Sequence, residues 1–144
     1  MGQEDSATRA ARDVVVVFSR LRRRLRAVSQ AEDLTPSQAS VLSRLATDGP
    51  TTASALAGAE HVRPQSMAAT LAGLDERALL QRRPDPGDGR RQLITLTRAG
   101  QQWVAGRRQA KEEWLVRALQ DRCTERERRL VIEAMAVLED LSQS

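Results

Sequence analysis

Cysteine, histidine and aromatic side chains are nearly absent from this 144-residue chain: one Cys, one His, one Phe, two Trp and no Tyr. A single cysteine excludes an internal disulfide framework and a cysteine-rich zinc site. A single histidine, His61, excludes a two-histidine metal motif and leaves a Ser-His-Asp triad with only one candidate base. No stretch runs apolar for ~18 residues, so no transmembrane helix is expected. The opening MGQEDSATRA lacks a basic segment followed by an apolar core, so no secretory signal is expected either. Lysine is scarce too, since 22 of the 23 basic residues are Arg and only Lys111 is Lys. These absences argue against an enzyme and against a cofactor or metal. By length they leave one basic domain, expected in the cytoplasm.

The arginines are therefore the first thing to explain. Guanidinium is a flat five-donor fork that suits phosphate oxygens and guanine edges, whereas ammonium acts as a point charge. Net charge alone is a poor guide: residues 101–144 carry eight cations and eight anions, while 81–98 carry five Arg and two Asp. The other excess is at 9–28, with seven Arg against one Asp. That segment reads as a helix over 10–29, because Val14, Val17, Phe18, Leu21, Leu25 and Val28 recur at spacings of three and four. Its run VVVVF is wide for a helix facing one small core, which favours pairing with a second chain.

Strong start signals follow. Thr35-Pro36-Ser37-Gln38 reads as a capping box with Pro at the first helical position. The helix it opens carries Val41, Leu42, Leu45 and Ala46, and Asp48-Gly49-Pro50 ends it. A short alanine-rich helix, 53–59, is followed by one opened by Pro64 and running to about Ala78. Met67, Ala68, Leu71 and Leu74 form the expected inner face of the latter. Two short helices on a tight connection read as a helix-turn-helix. Residues 79–84 and 92–96 then read as two short strands around the turn-forming Asp85-Pro86-Gly87-Asp88-Gly89, a hairpin or wing. Thr97 can cap a long helix over about 98–120. Thr124-Glu125-Arg126-Glu127 opens a last helix with Leu130, Ala134, Val137, Leu138 and Leu141 on one stripe. The fold class expected is mainly α with a small β-hairpin. A winged helix-turn-helix over about 35–100 is flanked by dimerisation helices at about 10–34 and 101–144.

In a helix-turn-helix the second helix enters the major groove, with its N-terminal residues nearest the bases. Here those are Arg63, Gln65 and Ser66, with Thr70 one turn on. Gln can pair bidentately with adenine and Arg with guanine, while Ser and Thr accept or donate more generally. Thr52, at the start of the preceding helix, joins this DNA-facing set. In the wing, Arg82, Arg83, Arg90 and Arg91 suit a narrow minor groove and its enhanced negative potential. Asp88, two residues before Arg90, is expected to pair with it and set its orientation.

Residues 35–100 resemble the winged helix-turn-helix of the MarR family of bacterial transcription regulators. The most specific stretch is DPGDGRRQLITLTRAG, in which Asp88, Arg90, Leu96, Thr97 and Gly100 occupy the family's wing positions. RPQSMAATLAGLDERALLQRR resembles its recognition helix and first wing strand. The resemblance implies a homodimer on an inverted-repeat operator in double-stranded DNA, commonly a repressor. It also implies release by a small aromatic or phenolic effector, for which Trp103, more than Trp114, is the candidate lining residue. Two departures stand out. Ala78 replaces a usual Gly before Leu79-Leu80, so a different helix exit is expected. Arg63 replaces a usual Ser cap, so its side chain is expected to face DNA. Cys123, beside Arg122 at a helix junction, reads as an ordinary thiol, and His61 falls in the turn of the helix-turn-helix. The alternative is a basic amphipathic-helix protein whose segment 10–29 binds a membrane surface or a partner protein.

Overall fold

A computed structural model describes residues 5–29 and 34–144. The end of the expected N-terminal helical region, 30–33, lies outside the described residues. Among the described residues six helices and one hairpin follow in the order α1 (Ser6–Val28), α2 (Pro36–Asp48), α3 (Ala53–Ala59), α4 (Pro64–Glu76), β1 (Leu80–Pro84), β2 (Gln92–Leu96), α5 (Arg98–Arg122) and α6 (Glu125–Ser142). No helix is long and apolar enough to cross a membrane, among the described residues. The chain divides into two compact units: Gln30–Arg108, and Met1–Ser29 together with Gln109–Ser144.

The unit Gln30–Arg108 holds the core. Val41, Leu42 and Leu45 of α2, Leu56 and Ala57 of α3, and Met67, Leu71 and Leu74 of α4 close on Leu79, Leu80, Ile94 and Leu96. Ala46 and Ala68, expected on inner faces, are exposed; Ala39 is buried instead. Both capping boxes form. The Thr35 hydroxyl accepts the Gln38 amide while the Gln38 side chain accepts the Thr35 amide, and Thr124 and Glu127 repeat the pattern. Each cap contributes about 1 kcal/mol.

β1 and β2 pair antiparallel, from Leu80 opposite Leu96 to Pro84 opposite Gln92. Thr51 adds a one-residue third strand by exchanging both backbone hydrogen bonds with Ile94, at 3.2 and 2.7 Å. The wing is thereby fastened to the chain entering α3.

Ala78 corrects the expected change in helix exit. It adopts φ +55°, and its amide donates to Asp75 O (2.9 Å) while the Leu79 amide donates to Leu74 O (3.2 Å). That is a Schellman ending, the geometry a glycine would give, held by alanine at a cost of ~1–2 kcal/mol. Leu74 and Leu79, joined by that second bond, are both buried, and their burial holds the turn. His61 does the same after α3, at φ +54°, with its amide on Gly58 O and the Val62 amide on Ala57 O.

The motif Leu96-Thr97-Arg98-Ala99-Gly100 locks the wing base. The Thr97 hydroxyl donates to Ala78 O at 2.7 Å and accepts the Gly100 amide at 3.1 Å, capping α5. Its own amide donates to Leu79 O. A Cβ on Gly100 would overlap the Leu79 carbonyl oxygen, so no larger residue fits without moving backbone.

The unit of α1, the C-terminal part of α5 and α6 is built differently. Neither α1 nor α6 has a buried residue among the described ones, apart from Ser29 just past α1. Val17 and Phe18 are exposed, as are Leu130, Val137 and Leu141 on the expected α6 stripe. Exposed Val131, Ile132 and Met135 extend the apolar surface of α6 well beyond that stripe. Arg128 holds the α5–α6 corner by donating to Leu119 O and Cys123 O and to Glu125. Cys123 is half-buried there as a free thiol.

Candidate nucleic-acid interface

Arg63 is the N-cap of α4 and its side chain makes no capping bond, as a residue with no acceptor must. Arg63, Gln65 and Ser66 are all exposed at the start of this helix, whose opposite side is held in the core by Met67, Leu71 and Leu74. Thr70 is half-exposed, and its hydroxyl donates to Ser66 O at 3.1 Å. That bond leaves its oxygen lone pairs to accept from a base or a protein donor.

The wing tip is made by two aspartates acting on backbone. Asp85 Oδ1 accepts the Gly87 amide at 2.9 Å, and Asp88 Oδ1 accepts the Arg90 amide at 3.1 Å. Both are side-chain-to-backbone turns two residues long. The Asp85 amide donates to Arg91 O and the Arg91 amide to Asp88 O, closing the loop. The expected Asp88–Arg90 ion pair is corrected by this geometry. Asp88 pairs with the Arg91 guanidinium at 3.7 Å and fixes Arg90 only through its amide. The Arg90 guanidinium meets no carboxylate among the described residues and is free to take an anion.

Arg82 and Arg83 fall on opposite faces of β1, as successive strand residues do. Arg82 shares the face of Leu80 and is bound to Asp75 of α4 at 2.8 Å. Arg82 therefore braces the wing against α4, with its side chain still 38 % exposed. Arg83 is exposed and unpaired among the described residues.

Thr52 caps α3 by accepting the Ala55 amide at 3.1 Å, leaving its hydroxyl proton to donate. It lies with Ser54, Arg82, Arg90, Arg91 and Gln92 along one open groove between the start of α3 and the wing. The groove thus gathers four of the expected residues and adds two that sequence reasoning missed. Ser54 sits two residues past Thr52 in an alanine-rich helix, and only the pairing of Thr51 with Ile94 brings it beside the wing. Arg63, Gln65, Ser66, Thr70, Arg83 and Asp88 lie outside this groove.

A polar link supports α3 from below. Glu60 accepts from Ser40 at 2.9 Å and from Arg44 at 2.8 Å. Burial acts to raise the Glu60 pKa, but the hydrogen bonds from Arg44 and Ser40 and the charges of Arg44 and His61 outweigh it and hold it below the ordinary carboxylate value. Trp103 is half-buried against the core, with the Arg107 guanidinium carbon 4.6 Å from its ring centroid. Arg24 lies 5.5 Å from the ring centroid of Trp114. Each tryptophan thus has a guanidinium over its ring, and no group of three or more metal-ligating side chains occurs among the described residues.

Comparison with known proteins agrees with this geometry. The profile of the MarR family matches residues 34–91. Over 115 residues, 80% of either chain, the sequence is 39% identical to an uncharacterised HTH-type transcriptional regulator of Mycobacterium leprae. It is 38% identical over the same length to an HTH-type transcriptional regulator of Mycobacterium tuberculosis. A crystal structure of a Pseudomonas aeruginosa protein named as a transcriptional regulator superposes with TM-score 0.85 at 31% identity, covering 99% of both chains. A MepR variant of Staphylococcus aureus bound to an oligodeoxyribonucleotide shares the fold at TM-score 0.64 and 20% identity, covering 96% and 99%.

Proposed function

Because this chain belongs to the MarR family of DNA-binding transcription regulators, we propose that it works as a homodimeric repressor on an inverted-repeat operator. Arg63, Gln65, Ser66 and Thr70 of α4 read base edges in the major groove. Arg90 enters the minor groove from the wing tip, with Arg83 on the backbone. Thr52 and Ser54 donate to a phosphate at the groove shared with Arg91. Asp88 contributes by shaping the tip that carries Arg90, and Arg82 by bracing that wing on Asp75.

The observation that carries this reading is the Arg90 guanidinium, left without a carboxylate at a tip whose backbone is fixed by Asp88. A tip whose backbone is already fixed has less conformational freedom to lose when its cation meets phosphate or groove. The dimer part rests on the exposed Val17, Phe18, Leu130, Val137 and Leu141, which a second copy would cover. A membrane-binding role for α1 alone is not favoured, since it gives no reason for the wing.

Selection of bound duplexes from a random pool tests the reading. Arg90→Ala is expected to weaken binding across sequences, while Gln65→Ala relaxes preference at one base position by about 1–3 kcal/mol. Parent-like binding by both variants would overturn the assignment. Release by a small phenol, the effector part of the proposal, is read in the same assay as lost retention of the selected duplex.

A further inference from the structure

Between residues 14 and 28 α1 contains five arginines and no acidic residue. At about 100° per residue, Val14, Val17, Phe18, Leu21 and Leu25 occupy one side of the helix. Arg20, Arg22, Arg23 and Arg26 occupy the other. Val14, Leu21 and Leu25 are half-buried and Val17 and Phe18 exposed, as are all four arginines. The helix's one acid, Asp13, lies near Arg9 at 3.9 Å, and Arg24 lies over Trp114. Arg20, Arg22, Arg23 and Arg26 meet no carboxylate among the described residues.

We infer that this arginine face is a second phosphate-binding surface for duplex DNA, independent of base sequence. The inference rests on the DNA-binding reading above and extends it to a helix that the wing and recognition helix do not include. Charge complementarity selects the occupant. Four guanidinium forks on one side, with no carboxylate partner among the described residues, match a dense row of phosphates, and duplex DNA presents a charge every ~1.7 Å of its axis. A lipid surface fits less well. A membrane-bound amphipathic helix buries its whole apolar face in the bilayer, and here Val14, Leu21 and Leu25 of that face are already half-buried in the protein.

The test is salt-dependent binding of the full chain to a mixed-sequence duplex of about 40 base pairs, because each phosphate neutralised adds ~0.9 to the slope of log K against log[salt]. The fourfold variant Arg20→Gln, Arg22→Gln, Arg23→Gln, Arg26→Gln is expected to lower the slope by about two to four and to bind at least about tenfold more weakly near 0.1 M salt. The matching fourfold Arg→Lys variant is expected to keep most of the slope, which a purely structural role for these residues would not explain. Both variants are checked first for the parent's mass and thermal midpoint. An unchanged slope in the Gln variant, with Arg90→Ala still weakening binding, overturns this inference and leaves the wing reading standing. A parent that retains no duplex overturns both. Vesicles of three parts phosphatidylcholine to one part phosphatidylserine form the competing arm. Sedimentation with them, lost in the Gln variant while the DNA slope stays put, would assign the face to membrane instead.

Discussion

The two units of this chain bury their apolar residues in opposite ways. In Gln30–Arg108 twelve apolar residues close into a core, and Val62 is the one large hydrophobic left exposed among its described residues. In the unit of α1 and α6 no apolar residue is buried among the described ones, and Ile132, Val15, Leu141 and Val137 are each more than 60 % exposed. The same amphipathic patterning therefore completes a core in one place and leaves it open in the other. The winged helix-turn-helix closes a core of its own. The terminal helices leave an apolar surface open among their described residues, which is where the proposed second copy would dock.

The largest expected effect comes from attacking the closed core and the open surface in parallel. Leu56→Ala, at a fully buried site, should cost about 2–5 kcal/mol of folding stability at any protein concentration. Val137→Asp should leave the unfolding of a dilute sample almost unchanged but raise the dimer dissociation constant by on the order of 100-fold. Denaturant melts at two concentrations, with sedimentation, separate the two. If Val137→Asp instead unfolded the chain like Leu56→Ala, the contrast between the units would be lost.

Gly100→Ala comes next, at about 1–3 kcal/mol, because its Cβ collides with the Leu79 carbonyl at the wing base. Weaker DNA binding should accompany the loss, read by retention on the selected duplex. Glu60→Gln removes charged hydrogen bonds from Arg44 and Ser40 and should cost about 1–2 kcal/mol near neutrality. The Glu60 pKa is lowered in the fold, so this stabilisation is present above 4.5 and is lost as pH falls through the lower folded value. Parent and variant should converge in melts below that pH. Smallest, and opposite in sign, Ala78→Gly should stabilise by about 1 kcal/mol by relieving the left-handed alanine. A lower midpoint for this variant would mean the turn is not strained.

The helices and the hairpin were legible because their signals are local: two capping boxes, Pro64, and a turn dense in Asp and Gly. The exposure of Arg63, Gln65 and Ser66 was legible for the same reason, since they stand at a helix start. What escaped the sequence depends on contacts between distant segments. The partner of Arg82 is Asp75, seven residues back on another element. Asp88 turns to Arg91, because its first oxygen is taken by the Arg90 amide. Ser54 becomes part of the site only through the pairing of Thr51 with Ile94. The Ala78 exit was misjudged because a local preference for glycine was weighed without the burial of Leu74 and Leu79, which holds the turn. The second apolar face of α6, Val131, Ile132 and Met135, was missed by following one stripe.

Sedimentation equilibrium of the chain on a duplex from the random-pool selection tests the central claim most directly. The account predicts two chains of 15.9 kDa per duplex, on half-sites about one helical turn apart. One chain per duplex, bound as tightly, would contradict it.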